Sequence, residues 1–100
     1  MSVDEKKIFS YVNFAIKAKD VVYGIDNIKT SRANISYIIL SKTASKNLLD
    51  ATTRFCQQKN IPYLITIKYT LDELLHTNNC KVIGITNQNI AQQIIYLKNQ

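Results

Sequence analysis

The sequence predicts an α/β fold, a three-layer α/β/α sandwich built on a four-stranded mixed sheet. Stretches of apolar residues at helical period alternate with short β-branched runs along the whole chain. Their order is α-β-α-β-α-β-α-β-α, and alternation of this kind yields a parallel or mixed sheet covered by helices on both faces. With only two Gly and one Pro in 100 residues, no stretch reads as a linker. Residues 1–100 are therefore expected to form one domain.

The first helix is expected over 4–18, because Ile8, Tyr11, Val12, Ala15 and Ala18 recur at three- and four-residue steps. Ser2 or Asp4 can cap it, and Asp4 and Glu5 suit the positive end of its dipole. Val21-Val22-Tyr23 is a short strand stopped by Gly24. Asp26 or Asn27 offers a cap for a second, shorter helix ending near Arg32. Ile35–Leu40 is the clearest strand, and its almost unbroken apolar character suits burial on both faces.

Thr43 or Ser45 begins a third helix through Lys59, with Leu48, Ala51, Thr52, Phe55 and Cys56 on its inner stripe. Asn60 suits its C-terminus and Pro62 forbids continuation. A β-rich run covers 61–67. A short helix over 71–77 starts with Thr70 and Glu73 in capping-box spacing. Val82–Ile85 is the last strand. Thr86 or Asn87 caps a final helix through Leu97, with Ile90, Ile94, Ile95 and Leu97 apolar.

The composition is that of a folded protein, 46% hydrophobic and 20% charged. Thirteen Lys and Arg against seven Asp and Glu leave a net charge of +6, which attracts polyanions in a salt-dependent way. The N-terminus has no apolar stretch after its charges and no run approaches the length of a membrane span, so a cytoplasmic protein with no membrane partner is expected. The chain lacks G-x-G-x-x-G, a Walker loop, G-x-S-x-G and H-E-x-x-H. Cys56 and Cys80 form no C-x-x-C pair, and a Cys–His pairing would need one of them to meet His76, the single histidine. Asp72 and Glu73 read as first-turn helix acids. The expectation is a non-enzyme with no cofactor and no metal.

Two segments carry binding chemistry. In Gly24-Ile25-Asp26-Asn27-Ile28-Lys29, a strand ends at a glycine and a helix starts beside a lysine. The backbone N–H groups and dipole of such a helix start favour phosphate. Asp26 and Asn27 can meet base edges, Asn as donor and acceptor, Asp as acceptor, although ordinary N-capping explains the same residues. The second segment, Ile67-Lys68-Tyr69-Thr70, follows the third strand and should lie at the same sheet edge as Gly24, where open α/β sheets bind ligands. Lys68 suits a phosphate, while Ile67 and Tyr69 suit unstacked bases. Lys42, after the second strand, completes a basic rim.

The blocks Phe14-Ala15-Ile16-Lys17-Ala18-Lys19 through Gly24, Tyr37-Ile38-Ile39-Leu40-Ser41-Lys42-Thr43-Ala44-Ser45, Phe55-Cys56, Asn60-Ile61-Pro62, Glu73-Leu74 and Val82-Ile83-Gly84-Ile85-Thr86-Asn87 stand in a familiar order and spacing. Together they resemble the kink-turn RNA-binding ribosomal proteins, in particular their small bacterial YlxQ-like members. The resemblance runs from about Phe14 to Ile95. It implies a ribosomal L-thirty-e-like sandwich that clamps a sharply bent RNA. The helix after Gly24 would read sheared G·A pairs through Gly24, Ile25, Asp26, Asn27 and Lys29, and the loop Ile67–Thr70 would cover a flipped-out base. Structured RNA, and through it the ribosome, is the partner implied.

Some positions depart from the family pattern. Asp26-Asn27 stands where strong RNA binders carry Asn-Glu, Thr30 where a basic residue is usual, and Lys19 and Leu75 where glycine is common. A non-Gly residue in a left-handed turn at position 19 would cost on the order of 1 kcal/mol. The altered Asp26-Asn27 pair motivates an alternative, a protein-interaction module that kept the fold and lost the RNA. A thiol-based role for Cys56 or Cys80 is a third reading.

Overall fold

The computed structural model describes residues 4–75 and 80–99, apart from the side chain of Leu74. Its elements are α1 (Glu5–Lys17), β1 (Val21–Tyr23), α2 (Ile25–Thr30), β2 (Tyr37–Leu40), α3 (Lys46–Lys59), β3 (Tyr63–Ile65), α4 (Leu71–Leu75), β4 (Val82–Ile85) and α5 (Gln88–Lys98). Ser2, His76 and the expected continuation of α4 to Thr77 lie outside the described residues.

The caps follow the chemistry of the sequence. Asp4 accepts from the Lys7 N–H, Ser45 from the Leu48 N–H, and Asn87 from the N–H groups of Asn89 and Ile90. One expectation fails. Neither Asp26 nor Asn27 caps α2, because Gly24 occupies the cap position with no side-chain bond, and the helix starts at Ile25. The Gly24 N–H donates to the Val82 carbonyl at 3.1 Å, so the chain turns straight from β1 into α2. Asp26 and Asn27 therefore lie in the first turn of the helix, and α2 stops at Thr30, short of Arg32.

The sheet is mixed, in the order β1-β4-β2-β3. β4 runs antiparallel to both β1 and β2, and β2 runs parallel to β3. All four residues of β2 are buried, as its continuous apolar run requires. Alternation divides them between two cores: Tyr37 and Ile39 pack with residues of α1, α4 and α5, while Ile38 and Leu40 pack with Ile28 of α2 and Cys56 of α3. These are the three layers. Gly84 lets α2 approach the sheet closely, since a Cβ there would sit 3.2 Å from Ile28 Cγ1 and 3.3 Å from Ile35 Cγ2.

α1 ends in a Schellman motif. The Asp20 N–H donates to the Ala15 carbonyl at 2.8 Å and the Lys19 N–H to Ile16 at 3.0 Å. Lys19 takes the left-handed position with φ 61°. Lys19→Gly is expected to stabilise the fold by about 1 kcal/mol, raising Tm by roughly 4–8 °C in a thermal melt. An unchanged or lower Tm would show that the Lys19 side chain makes compensating contacts. Asn60 holds the equivalent left-handed position after α3, with φ 56°.

The strand registers place the site. Tyr23 pairs with Ile83, Leu40 with Val82, and Leu40 with Ile65. The C-terminal ends of β1, β2 and β3 therefore share one edge with the start of β4.

Candidate functional site

Backbone bonds tie that edge together from one side to the other. Gly24 donates to Val82, Ser41 to Lys81 at 2.8 Å, and Thr66 to Leu40 at 2.9 Å. The two segments singled out in the sequence thus flank the edge, with β4 and β2 between them. Three strand spacings separate them by roughly 14 Å.

On the β1 side, Gly24 has φ 83° and ψ 146°, a conformation open in practice only to glycine. Ile25 packs partly buried against the α2–α3 core. Asp26, Asn27 and Lys29 are exposed. The Asn27 amide donates back to the Tyr23 carbonyl at 2.9 Å, which fixes the side chain and leaves its oxygen as acceptor. Lys29 also lines a groove of about 400 Å³ with Phe55 and Lys59 of α3.

In the centre, the Lys42 N–H donates to Thr66 Oγ1 at 2.8 Å, and the Lys42 ammonium to the Lys68 carbonyl at 3.1 Å. The fully buried Ser41 accepts from the Thr43 and Leu71 N–H groups, both at 3.3 Å. This knots the β2–α3 loop to the start of α4. Lys81 reaches Thr43 Oγ1 at 2.9 Å and Asp72 at 4.0 Å.

On the β3 side, Ile67 is 75% exposed and Lys68 is exposed beside it. Tyr69 is half-buried, with the Lys6 ammonium 5.3 Å from its ring centre. This is cation–π range and covers one side of the ring. Thr70 does not face outward as a contact residue alone, because it makes the expected capping box. Its N–H donates to Glu73 Oε1 and Glu73 N–H to its hydroxyl, both at 3.0 Å.

The capping bonds from Thr70 hold the Glu73 carboxyl below its ordinary value of 4.5. A depressed carboxylate contributes stability that is present above 4.5 and lost as pH falls through the folded-state value. The urea midpoints of the wild type and Glu73→Gln are accordingly expected to differ at pH 7 and to converge on acidification below 4.5. A difference that persists at low pH would assign the box no role.

The sequence reading missed Glu5. As a first-turn acid Glu5 suits the helix dipole, yet it is 3% exposed. Its carboxylate accepts from Ile67 N–H at 2.5 Å, Lys68 N–H at 3.0 Å and Tyr69 N–H at 3.2 Å. A signal was present: Glu5, Ile8, Val12 and Ala15 share one face of α1, and a carboxylate in an apolar stripe requires buried partners.

Neither cysteine forms a disulfide. Burial raises the Cys56 thiol to about 11. Among the described residues no cluster of His, Cys, Asp or Glu could hold a metal, and no helix is long and apolar enough to cross a membrane.

No protein-family model matches the chain, and no curated protein matches it. Solved structures do. A Bacillus halodurans protein of unknown function superposes with a TM-score of 0.79 at 17% identity, over 95% of this chain and 99% of that one. A 15.5 kD RNA-binding protein of Giardia lamblia superposes with a TM-score of 0.70 at 15% identity, over 99% of this chain and 92% of that one. These likenesses establish the fold, a three-layer α/β/α sandwich with a four-stranded mixed sheet.

Proposed function

We propose that this chain binds structured RNA, and that its target is a kink-turn-type duplex met on or near the ribosome in the cytoplasm. The observation that carries the reading is the convergence on one sheet edge of a glycine-started helix bearing Asn27 and Lys29, a central Lys42, and a loop displaying Ile67 and Lys68. Such an edge offers cations to phosphates and an apolar cover to an unstacked base. The net charge of +6 favours the same partner, and the fold is shared with the Giardia RNA-binding protein. The sequence blocks ally the chain most closely with the YlxQ-like members.

Titration calorimetry against a short kink-turn RNA and a plain duplex, at two salt concentrations, tests this. The expected result is sub-micromolar, salt-sensitive binding to the kink-turn that exceeds binding to the duplex. Equal, weak binding to both would reduce the interaction to nonspecific charge attraction.

We infer further that the chain, residues 1–100, acts as a single binding domain and not as an enzyme. The raised thiol of Cys56 supports this, because the thiolate is the nucleophile. Cys56 is expected to resist iodoacetamide in the folded protein at pH 8 and to react in denaturant, as read by peptide mass spectrometry. Rapid modification of the folded chain would reopen a thiol mechanism.

One observation favours a protein partner instead of RNA. The Asn27 amide is engaged with the Tyr23 carbonyl, which removes a donor from base recognition. A protein partner recovered by pull-down, with the chain in ribosome-free fractions and no kink-turn preference, would support that reading.

A further inference from the structure

The first turn of α1 reaches into the β3 side of the edge, and Glu5 makes the connection across more than sixty residues of sequence. A carboxylate buried in a protein is strongly unfavourable unless hydrogen bonds replace its water. Glu5 recovers them from three successive backbone N–H groups, a concave arrangement of amides that suits an anion. With their N–H groups turned inward on one carboxylate, residues 67 and 68 leave their side chains exposed. The Lys42 ammonium fixes the same loop from the other side through the Lys68 carbonyl.

We propose that Glu5 is a positioning residue for RNA binding: its carboxylate presets the 67–69 backbone so that Ile67 and Lys68 are displayed before RNA arrives. This rests on the RNA reading above. A preset loop avoids the ordering entropy that a free loop loses on binding. Glu5 itself has no contact with RNA, and as a negative charge it opposes a polyanion.

That opposition makes the test decisive. Glu5→Gln removes a negative charge, so charge alone would tighten RNA binding. Its side-chain amide also sets an NH2 against the loop N–H donors. The proposal expects about tenfold weaker binding to the kink-turn RNA, with the salt slope unchanged because no phosphate contact is lost. Glu5→Asp, which keeps the charge and shortens the reach, is expected to weaken binding in the same direction. Circular dichroism melts establish that each variant is folded.

If Glu5→Gln does not fold, amide hydrogen exchange on the wild type decides the matter. Slow exchange at Ile67, Lys68 and Tyr69 before RNA is added supports a preset loop, and fast exchange overturns it. Folded Glu5→Gln that binds as tightly as wild type, or more tightly, also overturns the proposal. A wild type that shows no kink-turn preference sinks the RNA reading itself, and this inference with it.

Discussion

Asn27→Ala combined with Lys29→Ala is expected to lower affinity for the kink-turn RNA about a hundredfold and to erase its advantage over a plain duplex. Each positioned base or phosphate contact contributes on the order of 1–3 kcal/mol, and both side chains project from one short helix at the sheet edge. The two substitutions are expected to act differently when separated. Lys29→Ala should reduce the salt slope by about 0.7–0.9, the signature of one lost phosphate contact. Asn27→Ala should leave the slope unchanged and remove the kink-turn preference. Both readouts come from calorimetry at a series of salt concentrations. If the double variant binds as the wild type does, the α2 side of the interface is wrongly assigned.

The second large effect belongs to Gly24. Gly24→Ala is expected to destabilise the fold by about 1–3 kcal/mol, and Tm should fall by roughly 4–8 °C for each kcal/mol. The cause is torsional and not steric, because nothing lies within 4 Å of a Cβ built there, while φ is +83°. D-alanine installed by chemical ligation therefore separates the two causes. It is expected to recover most of the loss, since its preferred torsions are mirrored. An equal loss with both enantiomers would point to a steric origin and contradict the open space around the position.

Much of the architecture was legible because local chemistry and tertiary context agree. Asp4, Ser45 and Asn87 cap helices in isolation for the same reason they do so here: short acceptors reach free N–H groups. The Thr70 and Glu73 pair is a four-residue device complete in itself. Asn60 and Pro62 terminate α3 through their own backbone preferences. The α2 cap failed because the sequence offered Asp26 and Asn27 as good capping residues, whereas the hydrogen bond from Gly24 to Val82 on a distant strand turns the chain earlier. The strands were read too long at 35–40 and 61–67, because β-branched composition continues past the residues that find ladder partners. Ser36 still donates to Ile85 at 2.7 Å just outside β2.

The candidate site divides along the same line. Gly24, Asn27, Lys29, Lys42, Ile67 and Lys68 stood out because their residue types carry binding chemistry wherever they occur. Nothing in the sequence showed that Lys42 holds the Lys68 carbonyl, that Lys6 covers Tyr69, or that Thr66 ties the β2 and β3 loops together. These contacts join residues 24 to 63 positions apart, and periodicity is blind beyond a few turns of helix.

By itself, then, the sequence determined the order and type of the elements, the double burial of β2 and the end of α3 at Asn60, all of which depend on short-range backbone preferences and on the period of the apolar pattern. The tertiary structure alone decided the strand order β1-β4-β2-β3, which sets the two candidate segments on opposite sides of one edge. It also decided that Glu5 is buried against the 67–69 backbone. A carboxylate on a helix start has the same local chemistry whether it faces water or a loop more than sixty residues away. Only the packing of α1 against that loop removes its water, and the loop's own amides must then take the water's place.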